Sequence, residues 1–177
     1  MRAAVPQIFS TSRAEATVFR FPPLFFPLLC ALALIVQAYL PVLLHAAVYL
    51  DLPLLAVVYW ATTNRHAGPS SLMGAVLGLA QDSLSHLALG INGIAKTLIG
   101  YVVASLGARM DADHPGIRLL LVFACYEFNR SLIYFFERFL LGTPLLWRGS
   151  TMVGAALANG LVAVLLFQGL DRFRRWM

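Results

Sequence analysis

Charged side chains are scarce in this sequence. Only 12% of its 177 residues are Asp, Glu, Lys or Arg, whereas 60% are hydrophobic. Soluble globular domains carry about 25% charged residues, so this chain has too few charges to cover a surface that faces water. The scarcity of charge therefore excludes a soluble domain and predicts an integral membrane protein. The length allows one compact bundle and leaves no room for a second domain.

Cysteine and histidine are also rare, which limits disulfide and metal chemistry. Cys30 and Cys125 are the only cysteines, and both lie inside apolar runs, where a thiol usually behaves as a small hydrophobic side chain. The four histidines stand far apart, and none has the paired spacing of metal ligands. No nucleophile motif surrounds the serines. We therefore expect no disulfide, no metal, no cofactor and no enzyme.

Six apolar runs are separated by polar breaks or by breaks that contain glycine and proline. The first run is long enough for a spanning helix of about 20 residues, and too long for the apolar core of about 7–15 residues in a cleavable signal peptide. We predict an all-α bundle of about six transmembrane helices in residues 21–171, with a basic leader at 1–20 and a basic tail at 172–177. The predicted helices cover residues 24–44, 54–62, 70–83, 93–107, 118–136 and 151–170.

The positive charges lie where topology signals are expected. The net charge is +5, but no basic helix or aromatic-basic surface accompanies it, which argues against nucleic-acid binding. With six spans and both termini in the cytoplasm, nine arginines fall on the inner side and two on the outer side, as the positive-inside rule requires. The inner arginines are Arg2, Arg13, Arg20, Arg65, Arg109, Arg118, Arg172, Arg174 and Arg175, and the outer ones are Arg138 and Arg148.

Gly74, Gly78 and Asp82 recur at four-residue intervals in the third run, and Gly90 follows in the next connection. Four-residue steps place these side chains on one face of a helix. Small residues let a neighbouring backbone approach closely, and a carboxylate within the membrane needs a partner or water. We predict that Gly74, Gly78, Asp82 and Gly90 serve either helix packing or binding of a partner helix, and the spacing leaves both open.

Four ionisable residues with zero summed charge lie in or beside apolar runs: Asp82, Lys96, Glu127 and Arg130. An unpaired Asp, Lys or Arg at the centre of a membrane helix costs about 2.5–3.5 kcal/mol. Glu127 and Arg130 are three residues apart, a spacing at which helical side chains meet. Asp82 and Lys96 belong to successive runs joined by a short loop. We predict buried compensating pairs of Asp82 with Lys96 and of Glu127 with Arg130.

Together these features resemble the MreD family of bacterial rod shape-determining membrane proteins. The residues that carry the resemblance are 54–60, Arg65-His66, Gly74-x3-Gly78-x3-Asp82, Leu89-Gly90 and Tyr101. The resemblance implies a non-enzymatic component of the cell-elongation complex in the inner membrane, with a fold similar to the substrate-binding components of energy-coupling-factor transporters. It also implies binding to MreC, a bitopic coiled-coil protein, and through it links to MreB, RodA and a penicillin-binding transpeptidase in peptidoglycan synthesis.

An alternative function is the small-solute, vitamin-type binding component of a membrane transporter. Such sites are pockets lined by aromatic and polar groups. The candidates in this sequence are Tyr39, Trp60, Asn92, Tyr126, Tyr134 and Trp147. Their spacing matches no recognisable ligand code, and aromatic residues near span ends commonly serve as interfacial anchors. The sequence therefore favours the scaffold over the solute binder.

Overall fold

The structure is a computed structural model that describes residues 25–85, 88–107, 114–139, 142 and 149–174. Within these ranges the chain forms α-helices, one short 3₁₀ helix and no strand, which confirms the predicted all-α fold with six helices. The helices are α1 (Phe25–Leu43), α2 (Leu52–Asn64), α3 (Ala67–Ser85), α4 (Ile91–Gly107), α5 (Pro115–Phe139) and α6 (Gly149–Arg174), and the 3₁₀ helix is His45–Tyr49. The predicted leader at 1–20 lies outside the described residues.

Three of the described helices are long and apolar enough to cross a membrane. They are Phe25–Leu43, Pro115–Phe139 and Gly149–Phe173. The helix Ile91–Gly107 is apolar but shorter. At 1.5 Å per residue, the 13 residues of α2 extend about 20 Å, which is less than the hydrocarbon core of about 30 Å. The chain is a membrane protein, and crossing by all six helices stays a prediction.

Helix α2 lies at the centre of the bundle and contacts each of the other five helices. The side chains from Pro53 to Tyr59 are all buried. The Asp51 side chain caps its first turn by accepting a hydrogen bond from the Leu54 amide, and Pro53 occupies the first turn, where its missing N–H costs nothing. Arg65, in the left-handed conformation with φ 55°, ends the helix. This central position explains why α2 is apolar on every side.

Aromatic and ionic contacts join one end of the bundle, where α2 ends and α6 ends. Phe26 of α1 packs edge-on against Trp60, with ring centroids 4.1 Å apart. The Tyr59 hydroxyl donates to the Asp171 carboxylate, which also pairs with Arg118 at the start of α5. We call this the aromatic end. The opposite end contains the start of α2, the start of α4 and the buried polar groups described next.

Candidate functional site

A network of buried polar side chains holds the second end of the bundle together, and Asp51 is its centre. One oxygen of Asp51, Oδ1, accepts the capping bond from Leu54 at 3.0 Å. The other, Oδ2, accepts from Lys96 Nζ at 2.9 Å and from Asn129 Nδ2 at 3.2 Å. The backbone N–H of Asp51 donates to Asn159 Oδ1 at 2.9 Å. A single residue thus ties α2 to α4, α5 and α6.

Lys96 has no exposed surface, and its charge is balanced by Asp51. The predicted direct pair of Lys96 with Asp82 is therefore wrong. Lys96 Nζ also donates to Asn92 Oδ1 at 3.3 Å, and Asn92 Nδ2 donates in turn to Asp82 Oδ1 at 2.8 Å. The two residues are linked through the Asn92 amide. In the sequence Asp51 lies in a polar break between apolar runs, where an exposed side chain is expected. Its burial could therefore not be predicted from the sequence.

Asp82 caps the start of α4 instead of pairing with a cation. It is 1% exposed and accepts the backbone N–H groups of Gly90 at 2.9 Å, of Asn92 at 3.3 Å and of Gly93 at 3.3 Å. The first N–H groups of a helix lack partners within the helix and carry partial positive charge, so a carboxylate there is stabilised without a counter-ion. Gly90 has φ +102°, a conformation that favours glycine.

Gly74 and Gly78 bring the backbones of α3 and α4 into direct contact. A Cβ added to Gly74 would overlap the carbonyl oxygen of Lys96, and one added to Gly78 would overlap that of Asn92. Gly100 of α4 has the same relation to the carbonyl oxygen of Ser70. Helix α4 therefore occupies the predicted glycine–aspartate face. The geometry supports helix packing at Gly74 and Gly78 and a helix cap formed by Asp82 with Gly90, and α4 covers the face that was predicted as a possible partner site.

The predicted pair of Glu127 with Arg130 is also wrong. Arg130 Nε donates to the Tyr126 hydroxyl at 3.2 Å, and its guanidinium carbon lies 5.5 Å from the centroid of the Tyr126 ring. Residues three and four positions earlier are both neighbours of Arg130 on the helix, and it contacts the one four positions earlier. One carboxylate oxygen of Glu127, Oε1, is buried and has no hydrogen-bond partner among the described residues.

Amide side chains complete the network, and the sequence analysis did not assign them this role. Asn159 Nδ2 donates to the carbonyl of Tyr49 at 2.8 Å, which also accepts from the Tyr126 hydroxyl at 2.9 Å. Gln37 of α1 both donates to the Leu50 carbonyl and accepts from the Leu52 amide. Asn129 and Asn159 have no exposed surface. Asn129 and Asn159 could have been identified as amide side chains inside apolar runs, because such groups need hydrogen-bond partners in a membrane.

Four of the residues proposed for a solute pocket lie in different parts of the described bundle. Tyr39 is 69% exposed, and Trp60 packs against Phe26 at the aromatic end. Asn92 and Tyr126 are engaged in the network at the opposite end, and Trp147 lies outside the described residues. Within the described ranges, no group of three His, Cys, Asp or Glu side chains is placed to hold a metal ion.

A family model described as rod shape-determining protein MreD matches residues 17–168, well over half of the chain. Comparisons with curated proteins and with solved structures found no match.

Proposed function

The chain belongs to the MreD family of rod shape-determining proteins, and from this membership we propose that it is a non-enzymatic scaffold of the bacterial cell-elongation complex. Membership implies a role in determining rod shape. The proposal adds that the protein binds the membrane helix of an MreC-like bitopic coiled-coil protein. Through that partner it would join MreB, RodA and a penicillin-binding transpeptidase in controlling peptidoglycan synthesis.

The observation that carries the proposal is the network around Asp51. Its carboxylate, ammonium and amide groups bond to groups on other helices, so they fix the positions of those helices. Hydrogen bonds between membrane helices contribute about 0.6 kcal/mol each on average and up to about 1.7 kcal/mol. Asp51 alone forms such bonds with three other helices, α4, α5 and α6. A bundle with its helices fixed in this way presents a constant outer surface, which is what a scaffold requires.

The distribution of arginines supports an inner-membrane location with both termini in the cytoplasm. Arg65, Arg118 and Arg172 belong to the aromatic end, where α2 and α6 end and α5 begins. Arg138 lies at the opposite end of α5. By the positive-inside rule, this distribution supports an orientation with the aromatic end in the cytoplasm and the Asp51 network toward the outer face.

Co-purification tests the proposal. The tagged protein and the MreC protein of the same organism would be expressed together and extracted in mild detergent. We expect MreC to co-purify, and we expect an MreC variant with its membrane helix replaced by an unrelated apolar helix not to do so. Recovery of an ATPase module with a transmembrane coupler, and no MreC, would contradict the scaffold and support the solute-binding alternative.

Rescue of cell shape provides a second readout. In cells depleted of the endogenous family member, the intact protein should restore rod shape and the localised incorporation of a fluorescent cell-wall precursor. Rounded cells despite normal levels of the protein in the inner membrane would contradict the proposed role in peptidoglycan synthesis.

A further inference from the structure

Glu127 is an acidic residue at the middle of a membrane-spanning helix. It lies twelve residues after Pro115 and twelve before Phe139, the two ends of α5. Its side chain is partly exposed, yet Oε1 is buried and has no hydrogen-bond partner among the described residues. A carboxylate at the centre of a hydrocarbon core of about 30 Å lies about 15 Å from either headgroup layer. Tyr126 and Asn129, one residue before it and two residues after it, bond to Tyr49 and Asp51, so Glu127 lies at the depth of the Asp51 network.

The cations inside the described bundle are directed to other groups. Lys96 donates to Asp51 and Asn92. Arg130 lies against Tyr126, both through a hydrogen bond and over the face of the ring. Arg118 pairs with Asp171 at the aromatic end. Asp51 and Asp171 are thus paired with cations and Asp82 with the N–H groups at the start of α4, whereas none of these three cations is directed to Glu127.

The surface next to Glu127 has the form of a helix-docking strip. Leu120, Ala124, Glu127, Ser131 and Arg138 follow steps of four, three, four and seven residues, so they share one face of α5. Apart from Glu127, which is partly buried, these side chains are exposed. Small residues on both sides of Glu127 let a second helix approach closely, which is how helices associate in lipid. We call this surface the α5 strip.

We propose that the α5 strip binds a single membrane-spanning helix whose cationic or hydrogen-bond-donating side chain bonds to Glu127 at the middle of the membrane. This inference rests on the proposed function and specifies the surface through which the scaffold holds its bitopic partner. The unpaired carboxylate defines the chemistry of the occupant, because an acidic group within a membrane helix is stabilised by a cationic or hydrogen-bond-donating partner.

A second copy of this chain is a poorer occupant of the same surface. Two copies that met symmetrically through the α5 strip would present the same patch to each other. That arrangement would bring two Glu127 carboxylates together in a medium of low dielectric constant, where like charges disfavour each other strongly. Charge complementarity therefore favours a different chain that carries the donor.

Site-specific photo-crosslinking tests the location of the partner. A benzophenone amino acid would replace Ala124 or Ser131 in full-length protein expressed with MreC. Ala31 of α1 and Ala158 of α6 are matched controls, because both are exposed small residues in apolar helices. We expect crosslinks to the MreC membrane helix from positions 124 and 131 and none from positions 31 and 158. Crosslinks from only the control positions, or to a second copy of this chain, would overturn the inference.

Substitution of Glu127 separates a binding role from a structural one. Glu127→Leu should reduce MreC co-purification at least tenfold, whereas Glu127→Gln, which keeps an acceptor, should retain part of it. Gln168→Leu is the control, since Gln168 is an exposed polar residue on α6. The thermal stability of the detergent-solubilised Glu127→Leu protein should equal or exceed that of the intact protein, because an unpaired buried group is removed. Lower stability with unchanged MreC binding would overturn the inference and assign Glu127 to the fold.

The two proposals fail in different ways. If intact protein binds MreC but neither the crosslinks nor Glu127→Leu implicate α5, the scaffold function stands and the α5 strip is wrong. If intact protein binds no MreC at all, the proposed function fails, and the assignment of the α5 strip fails with it.

Discussion

The ammonium group of Lys96 and the carboxylate of Asp51 lie 2.9 Å apart, and their side chains are 0% and 7% exposed. The two residues are 45 positions apart in the sequence and belong to different helices. Their pairing joins the capped start of α2 to the first half of α4. Since both groups are shielded from solvent, each supplies the counter-charge that the other needs.

Removing only one member of this pair should be costly. Lys96→Met leaves the Asp51 carboxylate buried without its counter-ion, and breaking a buried pair in this way costs about 3–5 kcal/mol. The double variant Asp51→Asn/Lys96→Met should recover more than half of that loss, because asparagine still caps α2. Thermal unfolding of the four proteins in detergent gives the coupling free energy. Additive losses at the two positions would contradict the pair.

The capping role of Asp82 predicts a different response. Asp82→Ala removes the acceptor of three backbone N–H groups and should cost about 0.5–2 kcal/mol or more, the usual range for a lost helix cap. Asp82→Asn should cost less, because one side-chain oxygen remains. The neighbouring Ser83→Ala is the control, since Ser83 is exposed and surface substitutions usually change stability by less than about 0.5 kcal/mol. Equal losses for Asp82→Ala and Ser83→Ala would exclude the cap.

The glycine contact between α3 and α4 should tolerate no added carbon. Gly74→Ala places a methyl group onto the Lys96 carbonyl, and such overpacking typically costs about 1–3 kcal/mol or more because the backbones must separate. Gly154→Ala on α6 is the matched control, since a Cβ there meets nothing within 4 Å and alanine favours helix formation by about 1 kcal/mol. The unfolding temperatures should therefore move in opposite directions. A fall for both variants, or for neither, would argue against the close contact.

The side-chain amide of Asn159 should contribute strongly to the stability of the protein. Asn159→Ala removes the acceptor for the Asp51 backbone N–H and one donor to the Tyr49 carbonyl. A buried group left without a partner costs about 1–3 kcal/mol. Leu161→Ala, at an exposed position two residues later, should cost less, because it loses only contacts outside the bundle. Hydrogen exchange at the Asp51 amide should accelerate in Asn159→Ala alone.

Much of the helical architecture could be predicted from hydropathy and from breaks in the sequence. The predicted runs agree with the observed helices to within a few residues. The reason is that the ends of a helix depend on the length of the apolar run and on Pro or Gly close by in the sequence. The glycine spacing similarly predicted one shared helix face. The spacing does not show whether that face packs against another protein or against a helix of the same chain. That depends on how α3 and α4 pack in three dimensions.

The charge pairing could not be predicted in the same way. Asp82 and Lys96 are near in sequence and of opposite sign, so their pairing was the simplest hypothesis. It fails because Asp51 and Asn92 intervene, and the position of Asp51 depends on the tertiary burial of the whole start of α2. At Arg130 the residues three and four positions earlier are both within reach, and Arg130 bonds to Tyr126, a choice that helical spacing does not determine.

The enclosure of α2 has a consequence for how the protein adapts to different membranes. A helix surrounded by other helices has little contact with lipid, so hydrophobic mismatch with the bilayer does not determine its length. The 25 residues of α5 and the 26 of α6 exceed the roughly 20 that a bilayer requires, and longer helices accommodate a thinner bilayer by tilting. A change in bilayer thickness therefore changes the tilt of the long helices α5 and α6. The charged start of α2 keeps its position among its hydrogen-bond partners.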